Sequence, residues 1–235
     1  MSQFKNFRIL LVEPEDNANI GAVARAMKNM GFEDLALITP SRYEFERAKI
    51  TACNAIDLLK NVKTFDTIEE AVRDSTDVIG FSARTGKNRP CIFIDEWLES
   101  LRTRSASKTC LLFGPEESGL HDKHIEQCRN LVRIPTNPRC SSLNLAQAVL
   151  IVLYELSKNA SLFPRGSDNS RLVEWEEFFH LDHLVNEVLI KCGFYNKGTP
   201  PHLPQVIGNL FRRSLPNKRE MKILQGIFGR ILKSL

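Results

Sequence analysis

The chain lacks several patterns that mark whole classes of protein. No segment approaches the roughly 20 consecutive apolar residues of a membrane-spanning helix, and no apolar signal segment follows Met1, so we predict a cytoplasmic protein without a membrane partner. The six cysteines are scattered, with no Cys-x-x-Cys pair among them. This spacing argues against a disulfide framework and against a zinc ribbon, and it fits reduced thiols.

Two signatures of small-molecule enzymes are also missing. There is no Gly-x-Ser-x-Gly nucleophile elbow and no Gly-x-Gly-x-x-Gly dinucleotide fingerprint. The stretch from Gly80 to Asn88 resembles a phosphate-binding P-loop, but it has five residues between its glycines instead of four, and Asn where Ser or Thr must meet magnesium. His121, His124 and Cys128 share a possible helix face without an obvious fourth ligand, so we predict no metal site.

Positive charge is concentrated in the C-terminal part of the chain. The net charge is +4, yet residues 1–160 hold 21 Lys and Arg against 21 Asp and Glu, whereas residues 161–235 hold 11 against 7. Residues 205–235 contain seven cationic side chains and one acidic side chain, Glu220. Such a cluster indicates either a surface that binds a polyanion or a solvated helix face, and the charges alone do not choose between them.

Apolar strand-like runs alternate with amphipathic stretches through the first 160 residues. This alternation predicts an α/β domain over residues 1–160, with a mainly parallel sheet covered on both faces and, by physical rules alone, without a knot. Residues 161–170 collect Pro, Gly, Ser and Asn and are the predicted linker to an all-helical region, residues 171–235. Strands are predicted at 8–12, 35–39, 62–65, 78–82, 109–114 and 131–134, and helices at 19–30, 46–59, 67–74, 94–104, 121–129, 145–156, 171–192, 204–214 and 217–234.

The loop after the first predicted strand, residues 14–25, carries polar residues into a helix. Asn17 or Asn19 can cap that helix, and Gly21 permits close approach of another backbone. Arg25 lies on a helix whose neighbouring residues are mostly apolar or small. We therefore expect Arg25 either to bind an anionic ligand or to form an ordinary ion pair with Glu13 or Glu15 in the preceding loop.

Two further loops follow predicted strands at their carboxyl ends. In the loop at 111–120, two glycines bracket a polar turn in which Glu116 can accept hydrogen bonds. In the loop at 134–145, two prolines prevent regular strand pairing and Ser141, Ser142 and Asn144 are all N-cap types. The helix start suits a carboxylate or a phosphate, although an ordinary capped helix explains the same residues. Open α/β sheets bind ligands at this edge, so the three loops predict one site.

Taken together, the three loops resemble the three motifs of the SpoU/TrmH branch of the SPOUT RNA methyltransferases. The matching segments run from Asn19 to Gly31, from Leu112 to Leu120 and from Ile134 to Leu145. Their order, spacing and residue types agree. The C-terminal region, including the segment 218–226, resembles the helical extension of the TrmJ subgroup. The likeness therefore covers nearly the whole chain.

The resemblance implies an activity, a fold and a set of partners. It implies transfer of a methyl group from S-adenosylmethionine to a ribose 2′-hydroxyl, at nucleotide 32 of the tRNA anticodon loop, with ribosomal RNA as the alternative substrate. It also implies a SPOUT-type parallel sheet with a C-terminal trefoil knot and a small all-helical C-terminal extension. The resemblance further implies a homodimer, and methyl transfer from a sulfonium is expected to require no metal.

The same resemblance assigns site residues by their positions in the motifs. Cofactor contacts are implied for Ile79, Gly80, Phe81, Gly114, Ile134, Ser141, Ser142, Leu143 and Asn144. Catalytic roles are implied for Arg25, Asn19, Ser142 and Glu116: Asn19 is expected to position the ribose, Ser142 to lie near the reacting oxygen and Glu116 to brace the loops. In the family the arginine is assigned to activating the hydroxyl; because arginine is hard to deprotonate, we interpret Arg25 as a phosphate anchor that stabilises developing alkoxide charge. The basic cluster predicted to bind RNA comprises Arg212, Arg213, Lys218, Arg219 and Lys222.

Two positions depart from the family pattern. Pro115 stands where relatives often carry Arg, and Cys140 stands where related sequences have an aromatic residue before the two serines. Each change is expected to alter how RNA is held while leaving cofactor binding intact. The alternative functions are an RNA-binding homologue that has lost catalysis and a generic nucleotide-binding α/β protein.

Overall fold

Seven short segments of the chain form the strands of one parallel sheet. The computed structural model describes residues 4–40, 43–84, 91–102, 108–162, 173–196, 198–200 and 202–235. The strands are β1 (Phe7–Val12), β2 (Asp34–Ile38), β3 (Lys63–Phe65), β4 (Asp77–Phe81), β5 (Cys91–Phe93), β6 (Thr109–Phe113) and β7 (Asn130–Arg133). Their order is β3-β2-β1-β6-β4-β7-β5, and every neighbouring pair is parallel. The predicted α/β class and its parallel sheet are confirmed.

Helices connect the strands and follow them to the C-terminus. They are α1 (Asn17–Met30), α2 (Phe45–Ala52), α3 (Ile56–Lys60), α4 (Ile68–Val72), α5 (Ile94–Arg102), α6 (Asp122–Ile125), α7 (Leu145–Lys158), α8 (Trp175–Lys191), α9 (Leu203–Ser214) and α10 (Lys218–Ser234). No helix in the described ranges has both the length and the apolar character needed to cross a membrane. The trefoil knot stays a prediction.

Two local expectations were wrong. Asp16, and neither Asn17 nor Asn19, caps α1: its carboxylate accepts a hydrogen bond from the Ala18 amide at 2.8 Å. The helix predicted at 121–129 is a single turn, α6, while the short strand β5 was not predicted. By contrast, the segment 46–59, predicted to be mostly helix, is helical: α2 is followed by a 3-10 turn that begins at Cys53 and then by α3.

The sheet carries a hydrophobic core on each face. Alternate residues of β1 separate the two: Ile9 and Leu11 belong to the core beneath α1 and α7, whereas Leu10 and Val12 belong to the core beneath α4 and α8. Because α8 contributes Trp175, which is fully buried, to this second core, the helical extension completes the second layer of the domain. The predicted linker at 161–170 lies, from residue 163 onward, outside the described residues.

Trp175 fixes the extension to the sheet through two arginines. The Arg129 guanidinium lies 5.4 Å and that of Arg212 5.8 Å from the centre of the indole ring, and the Trp175 amide donates to the Ser75 carbonyl at 2.7 Å. Arg129 also pairs with the buried Asp77 of β4 at 3.3 Å. Cation–π contacts gain strength when desolvated, so this cluster holds α8 and α9 in a fixed orientation on the sheet.

The central strands of the sheet bring the predicted loops together. β1, β6, β4 and β7 are adjacent, and all of them run in the same direction. Their carboxyl ends therefore meet at one edge, where the segments after Val12, Phe81, Phe113 and Arg133 emerge side by side.

Candidate active site

Glu116 connects the loop after β6 to the loop after β1. Its carboxylate accepts hydrogen bonds from the amides of Glu15 (3.0 Å) and Asp16 (3.2 Å) and from the side-chain amide of Asn19 (3.0 Å). The three hydrogen bonds to this carboxylate are expected to be strong, because the acceptor is charged. The predicted bracing role of Glu116 therefore has a defined geometry: it ties two loops that are about a hundred residues apart in sequence.

Asn144 extends this connection to the third loop. Its Nδ2 donates to Oδ1 of Asn19 at 2.9 Å, while its own Oδ1 caps α7 by accepting from the amides of Ala146 (2.9 Å) and Gln147 (3.4 Å). Among the three residues with N-cap character, Asn144 is the one that caps α7. A single hydrogen-bonded path, which we call the loop latch, thus runs through Glu116, Asn19 and Asn144 and joins all three predicted loops.

Gly114 allows the second loop to fold back on itself. A Cβ atom at this position would lie 2.3 Å from the amide nitrogen of Leu120 and 2.4 Å from the carbonyl carbon of Gly119. Gly119 has a φ of +63°, a left-handed conformation that favours glycine, and its amide donates to the Pro115 carbonyl at 2.8 Å. The two glycines that bracketed this turn in the sequence therefore make its sharp reversal possible.

A cleft of about 370 Å³ opens beside the loop latch. This is within the size range of small-molecule sites. Predicted site residues that line the cleft are Phe81, Gly114, Glu116, Ile134, Ser141, Ser142 and Leu143. Ser142 is exposed, and Thr136 Oγ1 donates to the Ser141 carbonyl at 3.2 Å, a hydrogen bond within the third loop between two residues that line the cleft.

Five of the predicted catalytic and cofactor residues do not line the cleft: Arg25, which is described below, and Ile79, Gly80, Asn19 and Asn144. Ile79 is buried in β4, and a Cβ atom on Gly80 would meet Cys128 Sγ at 2.9 Å on the other face of the sheet. Asn19 and Asn144 support the cleft through the loop latch. The side chains of Ile79, Asn19 and Asn144 therefore contact the protein itself, and Gly80 makes room for Cys128.

The floor of the cleft is aromatic: Phe81 was predicted as a cofactor contact, whereas Phe113 and the Trp97 behind it were not. Phe81 and Phe113 line the cleft with their rings stacked at 4.8 Å, and the buried Trp97 meets Phe81 edge-on at 5.5 Å. An apolar lining of this kind suits the ring system of a nucleoside. For Phe113 the sequence signal was that, like Phe81, it is the last residue of a buried strand.

Arg84 is a second cleft residue that was missed. It is exposed and lines the cleft beside Ser82, whose hydroxyl accepts from the Arg84 amide at 3.1 Å. The residue lies within the P-loop-like stretch, of which residues 85–88 are outside the described residues. A guanidinium at the cleft provides a cation for a carboxylate or phosphate group of a ligand.

A polar path leads from the cleft to the end of β1. Ser118 lines the cleft and lies 3.1 Å from Nε2 of His121, whose amide donates to Nδ1 of the buried His124. His124 faces the Glu13 carboxylate at 3.6 Å. Burial lowers the pKa of His124, and the hydrogen bond from Lys123 lowers the pKa of the Glu13 carboxyl. His121 and His124 thus have hydrogen-bonding roles in this part of the loop.

Arg25 lies apart from the cleft of its own chain. It is exposed, and its Nη1 donates to Sγ of Cys53 at 3.4 Å. Arg25 lies six residues after Asn19 on α1, so the two side chains are separated by roughly 240° around the helix axis. The ion pair with Glu13 or Glu15 that we considered does not form, since Glu13 pairs with Lys123 and Glu15 has no such pair in the described residues.

The predicted RNA-binding cluster divides into buried and exposed residues. Arg212 is only 4% exposed, and its guanidinium bonds to the Asp182 carboxylate while stacking on Trp175, so it is not available to RNA. A Cβ atom on Gly208 would lie 2.5 Å from Arg212 Nη1, which means that this glycine makes room for the ion pair. The exposed members are Arg213, Lys218, Arg219 and Lys222, and the last three line a shallow groove with Ile223.

Comparison with known sequences places this site in a family. The model of the SpoU rRNA Methylase family matches residues 6–154. The chain is 33% identical to the tRNA (cytidine/uridine-2'-O-)-methyltransferase TrmJ of Citrobacter koseri over 97% of this chain and 96% of the relative. It is 34% identical to the enzyme of the same name from Escherichia coli K12, over 97% of this chain and 95% of the relative.

Solved structures agree in fold over nearly the same length. TrmJ from Z. mobilis ZM4 has a TM-score of 0.83 and 30% identity, and the match covers 95% of this chain and 98% of that one. A probable methylase family protein from Haemophilus influenzae Rd KW20 has a TM-score of 0.62 and 30% identity, with 98% and 97% covered. The family match includes β1 to β7 and all three loops of the site. The chain therefore belongs to the SpoU rRNA Methylase family and has the fold of a SpoU methyltransferase.

Proposed function

We propose that the protein transfers a methyl group from S-adenosylmethionine to a ribose 2′-hydroxyl of tRNA, at nucleotide 32 of the anticodon loop. The observation that carries this proposal is the loop latch, which joins the three family motifs around one cleft. The near full-length similarity to methyltransferases named for tRNA cytidine and uridine favours tRNA over ribosomal RNA. Arg25, Asn19, Glu116, Ser142 and Asn144 are all present, which argues against a homologue that has lost catalysis.

The cleft fits the cofactor in shape and chemistry. Its aromatic floor of Phe81 and Phe113 suits an adenine ring, and the loops at Gly114 and Ile134 present backbone polar groups around it. Arg84 provides a cation near the cleft for the carboxylate of the amino-acid moiety. These are the residues that we expect to hold S-adenosylmethionine.

Methyl transfer to a ribose hydroxyl requires only a few functions of the protein's side chains. When bound, S-adenosylmethionine supplies a methyl group on a positively charged sulfur, which an oxygen nucleophile attacks directly. The protein then has to align the ribose hydroxyl and compensate for negative charge on its oxygen as the proton leaves. We assign contact with the ribose to Ser142, which is exposed at the cleft, and the compensating charge to the Arg25 guanidinium. We assign Asn19 a bracing role, because Glu116 and Asn144 occupy its side-chain amide.

The position of Arg25 supports a homodimer. Because Arg25 does not line the cleft of its own chain and its guanidinium contacts Cys53, we propose that it serves the cleft of a second copy. Leu150 and Tyr154 lie one turn apart on α7, 39% and 52% exposed, and α7 packs beside α1. We propose that these two side chains lie in the contact between the two copies. Light scattering is expected to give the mass of two chains.

The proposed substrate is tested by mapping the methylated nucleotide. Unmodified tRNA transcripts and ribosomal RNA fragments are incubated with the protein and labelled S-adenosylmethionine, and the products are digested and analysed by mass spectrometry. We expect a 2′-O-methyl group at nucleotide 32 of tRNA. Labelling of the ribosomal fragments alone would contradict the proposed substrate. Calorimetry with S-adenosylhomocysteine and with ATP separates a methyltransferase from a generic nucleotide-binding protein.

The exposed cations of α10 are expected to contact RNA phosphates. Replacing Lys218, Arg219 and Lys222 together by Ala removes three phosphate contacts. The slope of log Kd against log salt concentration should fall by about 2–3 units, since each contact contributes about 0.9 on duplex and 0.7 on single-stranded nucleic acid. Binding of S-adenosylhomocysteine should not change.

A matched control removes the same charge from another surface. In this variant Lys49, Lys60 and Lys63, on α2, α3 and β3, are replaced by Ala. The salt slope should stay at the wild-type value. Equal losses in the two triple variants would show that net charge, and not the α10 surface, determines RNA binding.

A further inference from the structure

The end of α2 is fixed against α1 close to Arg25. A Cβ atom on Gly21 would lie 1.9 Å from the carbonyl oxygen of Ala48 and 2.2 Å from Oγ1 of Thr51, so the two helices touch backbone to backbone. Thr51 Oγ1 also donates to the Ala18 carbonyl at 2.7 Å. The residue that follows α2 is therefore held at a set distance from the exposed face of α1.

That residue, Cys53, has an unusual backbone conformation. Its φ of 51° and ψ of −114° lie in a region that glycine enters readily and that other residues adopt only when the surrounding structure enforces it. The conformation ends α2 and directs the thiol toward α1. Cys53 Sγ then accepts the hydrogen bond from Arg25 Nη1 at 3.4 Å.

We propose that Cys53 is a positioning residue that holds the Arg25 guanidinium ready for the substrate. An exposed arginine has many rotamers, and ordering it before the reaction removes part of the entropy cost. Sulfur is a weak acceptor, so the contact orients the guanidinium without neutralising it as a carboxylate would. The proposal rests on the proposed function, because it assumes that Arg25 acts on an RNA oxygen or phosphate.

The first test compares substitutions at Cys53. Cys53→Gly removes the thiol and fits the backbone conformation without strain, so its unfolding temperature should equal or exceed that of the wild type. We expect kcat for tRNA methylation to fall about 2- to 10-fold, the equivalent of one net hydrogen bond, with KM for S-adenosylmethionine unchanged. Cys53→Ser keeps a side-chain acceptor and should recover most of the loss. Cys192→Ser, which changes an exposed thiol at the end of α8, is the control and should leave kcat unchanged.

A second test does not depend on methyl transfer. NMR relaxation of the Arg25 Nε–Hε group reports the order of its side chain, and the order parameter should fall in Cys53→Gly but not in Cys192→Ser. An unchanged order parameter would overturn the proposal, even if the wild-type protein methylated no RNA. A fall in kcat accompanied by a lower unfolding temperature in Cys53→Gly would also overturn it, since the loss would then be structural.

Discussion

Replacing Arg25 by Ala is expected to reduce kcat for RNA methylation by a factor of about 10²–10³ or more, because a charge that compensates the developing oxyanion is lost. The Kd for S-adenosylhomocysteine should stay within about twofold of the wild-type value, since Arg25 lies outside the cleft of its own chain. Both quantities are measurable on the same preparation, by single-turnover kinetics and by calorimetry.

Lys28→Ala is the matched control for this experiment. Lys28 is an exposed cation one turn further along α1, where it bonds to Asp57 at 2.6 Å. Removing it should leave kcat within about twofold, because surface ion pairs contribute little and Lys28 has no role in the proposed chemistry. Near-normal turnover in Arg25→Ala would remove Arg25 from the mechanism.

The two-chain arrangement predicts complementation between inactive variants. Arg25→Ala has an intact cleft, and Glu116→Gln has an intact arginine. If Arg25 serves the cleft of the second copy, random mixing makes half of the dimers mixed, each with one complete site, and about a quarter of wild-type activity returns. If Arg25 acts within its own chain, the mixture stays inactive.

Local sequence patterns were sufficient to predict the central strands of the sheet and the three loops of the site. The apolar runs at β1, β4, β6 and β7 are buried between two helical layers, and their alternation with helices made the parallel sheet predictable. The three loops were identified because each combines a strand end with a helix start or a glycine turn. The order of the central strands then brings the loops together, as expected for ligand sites of open α/β sheets.

Features that depend on distant residues could not be predicted. Arg212 looks like other cations of an amphipathic helix, and its burial depends on Asp182 and on Trp175, which lie 30 and 37 residues earlier. Gly208, one turn before it, was the only local signal of a close contact. Likewise, β5 has three residues at the edge of the sheet and is recognised only by its pairing with β7.

Glu116→Gln is expected to have the second large effect, through the loop latch. Glutamine keeps the size of the side chain but offers one oxygen and one NH₂ group where three donors now meet a carboxylate. At least one of the three N–H donors therefore loses its acceptor and faces the NH₂ group of the glutamine instead. With hydrogen bonds to charged groups contributing about 1.5–3 kcal/mol, the Kd for S-adenosylhomocysteine should rise about tenfold to a hundredfold, and kcat should fall further as Asn19 and Asn144 lose their alignment.

Glu117→Gln separates the hydrogen bonds from the charge. Glu117 lies next to Glu116 at the same cleft and is exposed, so this variant removes the same charge from the same loop without removing an acceptor from the loop latch. We expect its Kd to remain within about twofold of the wild-type value, because exposed charges are screened by solvent and salt. Equal losses in the two variants would mean that the negative field of this loop, and not the geometry of the loop latch, supports the cleft. A wild-type Kd in Glu116→Gln would show that the three loops hold their positions without it.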